Sequence, residues 1–194
     1  MRFPRLLGPQ DARTDRGGVL YGRRDALDRL APRDLGGGGV THVTRWDLAL
    51  RPPPARFEAG TPNIAGVLGL AAAARFLTAL GWDDMAAHSE RLARALHEGL
   101  SAIRGVRILA AEGPALPIVS WTSPSCAVDP EDLSVALSDR YGVMTRAGRQ
   151  CAHPLFEVLR CPGGALRMSA YVYNTLDEIR HACDSVGRVL SILS

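Results

Sequence analysis

Between Ile64 and Leu80 the chain runs through seventeen residues of which only Arg75 and Thr78 are polar. A helix that is apolar around its whole circumference has to be covered on every side, so this stretch limits the fold more than any other. Thr61 reads as an N-cap with Pro62 at the first helical position, which predicts a buried helix from Asn63 to Leu80. Arg75 interrupts the run, and its apolar length is short of a membrane span. Such a helix needs partners, and the segment before it offers little. Residues 1 to about 50 are loop-rich, with one strand near Val19 to Tyr21 and a short helix around Asp25 to Leu30. Gly36 to Gly39 reads as a flexible run, and Pro52 to Pro54 as a stiff spacer.

Downstream the periodicity is clearer. Met85, His88, Leu92, Leu96, Leu100 and Ile103 recur at helical spacing, which predicts an amphipathic helix. Asp129 with Pro130 opens another, to about Tyr141. Thr175-Leu-Asp-Glu178 is a capping box that opens a last one, with Ile179, Cys183, Val186, Leu190 and Leu193 on its inner face. Strands are expected at Val106 to Ala110, Pro117 to Thr122, Val143 to Thr145 and Ala165 to Ala170. The fold class is α/β: from residue 83 to 194 a small α+β domain, helices over a mostly antiparallel sheet. Residues 61–82 form a long linker helix, and 1–60 read as the remnant of a larger domain.

Net charge is +3 with the arginines scattered, which gives no basic stripe for nucleic acid or an anionic membrane. Cys126, Cys151, Cys161 and Cys183 are widely spaced, with no Cys-x-x-Cys pair to combine with a histidine as zinc ligands. No metal site and no disulfide framework is expected. The start, Met1-Arg-Phe-Pro-Arg5, has no apolar leader core, and a cytoplasmic protein is expected.

The most chemical segment is Arg146-Ala-Gly-Arg-Gln-Cys-Ala-His-Pro154. A strand end and a glycine turn present Cys151 between arginines. Guanidinium groups beside a thiol favour its thiolate, and the thiolate is the nucleophile. The same residues also suit a small apolar cysteine packed at a loop end. Arg167 alternates with Leu166 and Met168, so it faces away from the apolar side and is free either to hold a carboxylate through both oxygens or to make a surface salt bridge. Gly60-Thr61-Pro62, at the mouth of the long helix, is either an anion site or a plain helix cap. His153 is either a proton donor to the cysteine or a solvated loop histidine. His42, His88, His97 and His181 read as ordinary helix or loop residues.

Taken together, Arg56-Phe-Glu-Ala-Gly-Thr-Pro-Asn63, the Cys151 loop and Ala165-Leu-Arg-Met-Ser-Ala-Tyr-Val-Tyr-Asn174 resemble the carboxy-terminal half of class V aminotransferases of the cysteine desulfurase and selenocysteine lyase type. The resemblance implies a fold type I, pyridoxal phosphate (PLP) dependent transferase acting on a small amino acid. It implies that Cys151 takes sulfur from L-cysteine, that Arg167 binds the substrate α-carboxylate and that Arg146 braces the cysteine loop through backbone carbonyls. It also implies that Gly60 and Thr61 reach the cofactor phosphate of the neighbouring subunit of a homodimer. Members of this branch often carry two histidines just before the cysteine, where this chain has Arg149 and Gln150.

One requirement of such chemistry is missing. All 23 Lys+Arg residues are arginine, and a PLP enzyme needs a lysine amine to hold the cofactor aldehyde. Arginine stays protonated and cannot replace it. In the family the lysine precedes a Leu-aromatic-Gly-Pro turn and a Gly-Val-Leu-Tyr-Gly strand. Arg5-Leu-Leu-Gly-Pro9 and Gly18-Val-Leu-Tyr-Gly22 match that pattern and put Arg5 at the Schiff-base position, with an extra polar stretch from Asp11 to Arg16. The resemblance places the stacking histidine, the aspartate under the pyridine nitrogen and the main phosphate loop ahead of the matched region. Three readings stay open: a fragment of a cysteine-desulfurase-like enzyme, inactive alone and binding PLP weakly or not at all; a non-catalytic interaction or sulfur-relay module; and one half of a split class V enzyme whose partner chain supplies the lysine.

Overall fold

The computed structural model describes residues 5–7, 18–109, 116–123 and 128–193. The chain divides into two units, Met1–Leu80 and Gly81–Ser194, so the linker helix expected over 61–82 falls almost wholly within the first.

The first unit holds two small hairpins. β1 (Arg5–Leu7) pairs antiparallel with β2 (Gly18–Leu20), with Arg5 opposite Leu20; the inserted polar stretch from Asp11 to Arg16 lies outside the described residues. After α1 (Arg24–Asp28), β3 (Val40–Val43) pairs with β4 (Leu48–Leu50), a hairpin the sequence did not suggest. Its turn is built by side chains: the Thr44 hydroxyl accepts from the N–H groups of Trp46 and Asp47 at 3.3 and 2.9 Å, and the Asp47 carboxylate accepts from Leu48 N–H at 2.8 Å. Both strands are largely exposed on both faces, so neither carries the apolar alternation that marks a strand.

The glycine run is a packed turn, not a loose one. Gly39 is buried, its N–H donates to Gly36 O at 3.2 Å, and its carbonyl accepts from Arg51 N–H at 2.9 Å.

α2 (Ile64–Leu80) departs from expectation twice. The cap is Asn63, whose Oδ1 accepts from Gly66 N–H at 2.9 Å; Thr61 lies outside the helix. Only Gly66 is buried, and Ile64, Val67, Leu68 and Phe76 are each 58–64 % exposed. The apolar run states that the helix needs cover. The described residues do not provide it.

The second unit is an antiparallel sheet of order β5–β6–β7 (Arg107–Ile108, Ile118–Thr122, Leu166–Ser169) covered by α3 (Trp82–Ser101), α4 (Pro130–Tyr141) and α6 (Leu176–Leu193). Trp121 and Val119 on β6 and Leu166 and Met168 on β7 bury against Leu92, Leu96 and Leu100 of α3, Leu133 and Leu137 of α4, and Ile179 and Val186 of α6. Each such side chain contributes roughly 1.5–3 kcal/mol of hydrophobic stabilisation, whereas among the described residues of the first unit the buried apolar set holds only Ala26.

The caps act as the sequence suggests: Asp129 accepts from Glu131 N–H at 2.8 Å, and Thr175 and Glu178 exchange hydrogen bonds at 2.8 and 3.2 Å. The strand expected at Val143 to Thr145 is absent; this segment meets β7 only through a bridge between Arg146 and Arg167. A short helix, α5 (His153–Val158), follows the cysteine loop unexpectedly. Where no disulfide framework was expected, one cysteine, Cys161, is disulfide-bonded. Cys126 lies outside the described residues.

Candidate active site

The Cys151 loop is fixed at its start to the strand that carries Arg167. Arg146 N–H donates to Arg167 O at 3.0 Å, and Arg167 N–H donates to Arg146 O at 2.7 Å. Gly148 O accepts from Ala165 N–H at 3.0 Å, one step along the same ladder. From the second of these ties onward the chain turns sharply. Gly148, Gln150 and Cys151 have φ of 96°, 52° and 62°, and for the two residues with side chains this left-handed conformation persists only where the surroundings impose it. Cys151 itself is exposed and free.

Several groups impose that shape. The Gln150 side-chain amide donates to Arg146 O and Gly148 O at 3.0 and 3.3 Å, and Arg149 Nε donates to Pro162 O at 2.7 Å. The bracing expected of Arg146 runs through its main chain, while the side chains that grip carbonyls are its neighbours Arg149 and Gln150. Gly164, at φ 89°, backs directly onto the loop: a Cβ there would overlap the Gly148 carbonyl and crowd Arg149 N. A small core of Phe156, Cys161 and Ala165 anchors the loop's far side. Neither Gln150 nor Gly164 carried a signal beyond a polar loop residue and a Gly-Gly turn.

Cys151 opens on a cleft of about 460 Å³ lined by Arg146, Arg149, Gln150 and His153 together with Asp129 and Glu131 at the start of α4. Arg167 is exposed on β7, between buried Leu166 and Met168, as the alternation predicted. Cys183 is a different kind of thiol. It is buried on α6, and burial, followed by the negative charge of Asp184, pushes it up to about 11.

Gly60 and Thr61 belong to the first unit, as does Arg5; Arg146, Cys151 and Arg167 belong to the second. The 3₁₀ turn Ala55–Phe57 leads into Gly60, held by an Arg56–Asp28 ion pair of 3.3 Å in which the Arg56 side chain is only 17 % exposed. Gly60 has φ 83°, open space where a Cβ would stand, and an N–H that already donates to Gly37 O at 2.7 Å. Close approach to the backbone is therefore open at Gly60, but its own N–H is spoken for. Thr61 is exposed beside it.

Among the described residues no single helix is long and apolar enough to cross a membrane.

A model of the class V aminotransferase family matches residues 17–181, and the chain belongs to that family, whose members depend on PLP. Its relatives are more particular. It is 40 % identical over 189 residues to a probable cysteine desulfurase of Mycobacterium leprae, covering 96 % of this chain and 43 % of that one. Among solved structures it is similar to the cysteine desulfurase CsdA of Escherichia coli (TM-score 0.80, 31 % identity, 90 % of this chain and 42 % of that one). It is similar also to a cysteine desulfurase of Thermococcus onnurineus (TM-score 0.79, 33 % identity, 90 % and 43 %). The chain thus spans a little over two-fifths of these relatives' length, matching their carboxy-terminal half. The PLP-dependent transferase fold and the family read from three short motifs are both those of its relatives.

Proposed function

We propose that these residues are the carboxy-terminal part of a cysteine-desulfurase-like enzyme of the cytoplasm, in which Cys151 takes sulfur from a substrate cysteine while Arg167 holds that substrate's α-carboxylate. The observation that carries this reading is the reciprocal Arg146–Arg167 pairing. It puts the thiol loop and the carboxylate-binding candidate on one rigid piece, so a substrate gripped at one end presents its other end to the loop. A planar guanidinium on a strand suits a carboxylate, taking both oxygens at once. The Cys151 thiolate attacks the substrate sulfur. An S–S bond forms as the substrate C–S bond breaks, and the electron pair stays on the substrate carbon, which takes up a proton and leaves as alanine.

PLP fits these residues in part. Positive φ and open space at Gly60, beside the exposed Thr61, suit contact with a phosphate, and we assign that phosphate to the neighbouring subunit of a homodimer. When bound, the cofactor supplies an electron sink for the substrate amino acid. Its covalent attachment does not fit, because the sequence holds no lysine and Arg5 stands at the matching position. This chain alone is therefore expected to be inactive.

The bare apolar side of α2 favours a second reading, half of a split enzyme, over a non-catalytic interaction or sulfur-relay module. A module working alone gains nothing by keeping such a surface.

The test is release of alanine and sulfide from L-cysteine with PLP, first by this chain and then by a mixture with the amino-terminal half of a related desulfurase. No turnover by the chain alone is expected, and turnover there would refute the reading. Turnover only on mixing would favour the split enzyme. If Cys151→Ser then left that turnover unchanged, the sulfur-acceptor assignment would be wrong.

A further inference from the structure

Gln150 reaches back beneath the loop to which it belongs. Its amide nitrogen lies 3.0 Å from Arg146 O, 3.3 Å from Gly148 O and 3.5 Å from Ala165 O. All three neighbours are acceptors, so only the NH₂ end of the amide can face them, and its two hydrogens serve the two nearer carbonyls. Those two carbonyls have a second partner each. Arg146 O accepts from Arg167 N–H, and Gly148 O accepts from Ala165 N–H. One side-chain amide thus grips both of the carbonyls that tie the Cys151 loop to the Arg167 strand. The residue that makes this grip is itself in the left-handed region, as is Cys151 next to it.

We propose that Gln150 is a positioning residue for Cys151: its amide, clamped on the carbonyls of Arg146 and Gly148, holds the exposed thiol in register with Arg167 and the loop arginines. The inference rests on the reading of Cys151 as the sulfur acceptor. It follows from where the other ties fall. The ladder contacts at Arg146 and Gly148 both precede Cys151, Arg149 Nε reaches out to Pro162 O, and within the turn itself the main-chain bond is from Ala152 N–H to Arg149 O at 2.8 Å. A side chain of the same length without a donor fills the same space but leaves each of the two carbonyls with its main-chain partner alone. With the side-chain tie gone, the turn can relax toward ordinary φ, carrying the thiol away from its place beside Arg146 and Arg149 in the cleft.

The test uses the full chain as Gln150→Met, which keeps length and neutrality, and as Gln150→Ala. Alkylation of Cys151 is mapped by mass spectrometry across the neutral pH range with neutral iodoacetamide and with anionic iodoacetate. The ratio of the anionic to the neutral rate reports how the thiol stands to the charged groups of its cleft, Arg146, Arg149 and His153 against Asp129 and Glu131, and a loss of stability in a chain that remains folded does not move it. Protection of the buried Cys183 shows that the chain is folded. Both substitutions should lower the Cys151 ratio by roughly fivefold, the scale of one or two lost hydrogen bonds, with Cys183 still protected. If the alanine variant exposes Cys183, the methionine variant decides. A ratio unchanged in Gln150→Met overturns the proposal. A wild-type ratio no higher than that of a cysteine in a short peptide is a distinct result, since it removes the reading of Cys151 itself and the proposal with it.

Discussion

Gly164 lies against Gly148 with no room for a methyl group between them. The contact joins the start of the loop that presents Cys151 to the residues just ahead of the strand that carries Arg167, and it comes with a φ of 89° at Gly164.

Gly164→Ala should therefore both clash with backbone and strain its own, and is expected to cost ~1–3 kcal/mol in a urea or thermal melt. Gly163→Ala is the control. A Cβ there would meet only Pro130 Cδ, at an ordinary 3.4 Å, and the midpoint should hardly move. Equal losses from both would show that the Gly164–Gly148 contact has no special standing.

The thiols should separate by reactivity. Exposed Cys151 is expected to alkylate first at neutral pH, and Cys161 only after a reductant is added. Cys183, buried and pushed up to about 11, should react only in strongly alkaline solution. The same shift bears on stability: the folded state keeps this proton longer than the unfolded chain, whose thiol ionises near 9.0, so the contribution is whole below that pH and lost as pH rises toward 11. Mass mapping against pH checks the order, and early labelling of Cys183 would contradict it.

At the start of α6, Thr175→Ala should cost about 1 kcal/mol, the usual loss for a capping side chain. Thr175 N–H, and after it the Asn174 amide, hold the Glu178 carboxyl below its ordinary 4.5. Its stabilising effect is accordingly present above that pH and lost as pH falls through the lowered folded value. Melts of wild type and Glu178→Gln from neutral to acid should converge as the wild type loses this term. Parallel curves would rule the carboxylate out.

Arg5→Lys by itself should yield neither alanine nor sulfide from L-cysteine. The change supplies an amine, but on a strand whose described partner is Leu20, in a chain that spans 43 % of its M. leprae relative. Misplacement of a reacting group by about 1 Å can cost on the order of 100-fold. Turnover by the single variant would show that these residues build a complete cofactor site.

Features written in neighbouring residues were legible from the sequence. Asp129 with Pro130, the Thr175–Glu178 box and the alternation from Leu166 to Ser169 each carry their cause within a few positions. Two of the three motifs that resembled a family combine glycine and proline geometry with polar side chains, and the third sets Arg167 in an apolar alternation. What escaped reading depends on solvent or on how the backbone is turned. The Thr44–Asp47 hairpin shows no alternation because water lies on both sides. Thr61 and Asn63 are both able caps, and only the structure shows that Asn63 takes the role. The grip of Gln150 depends on where Arg146 and Gly148 turn their carbonyls, and no residue type announces that.

The bare flank of α2, with Ile64, Val67, Leu68 and Phe76 turned to solvent, also bears on the life of the molecule in a cell. Oily surface of this kind is what quality-control machinery seizes and what drives newly made chains to clump. The standing amount of this polypeptide should then follow the supply of whatever shields that flank more closely than its own rate of synthesis, and surplus copies should be short-lived.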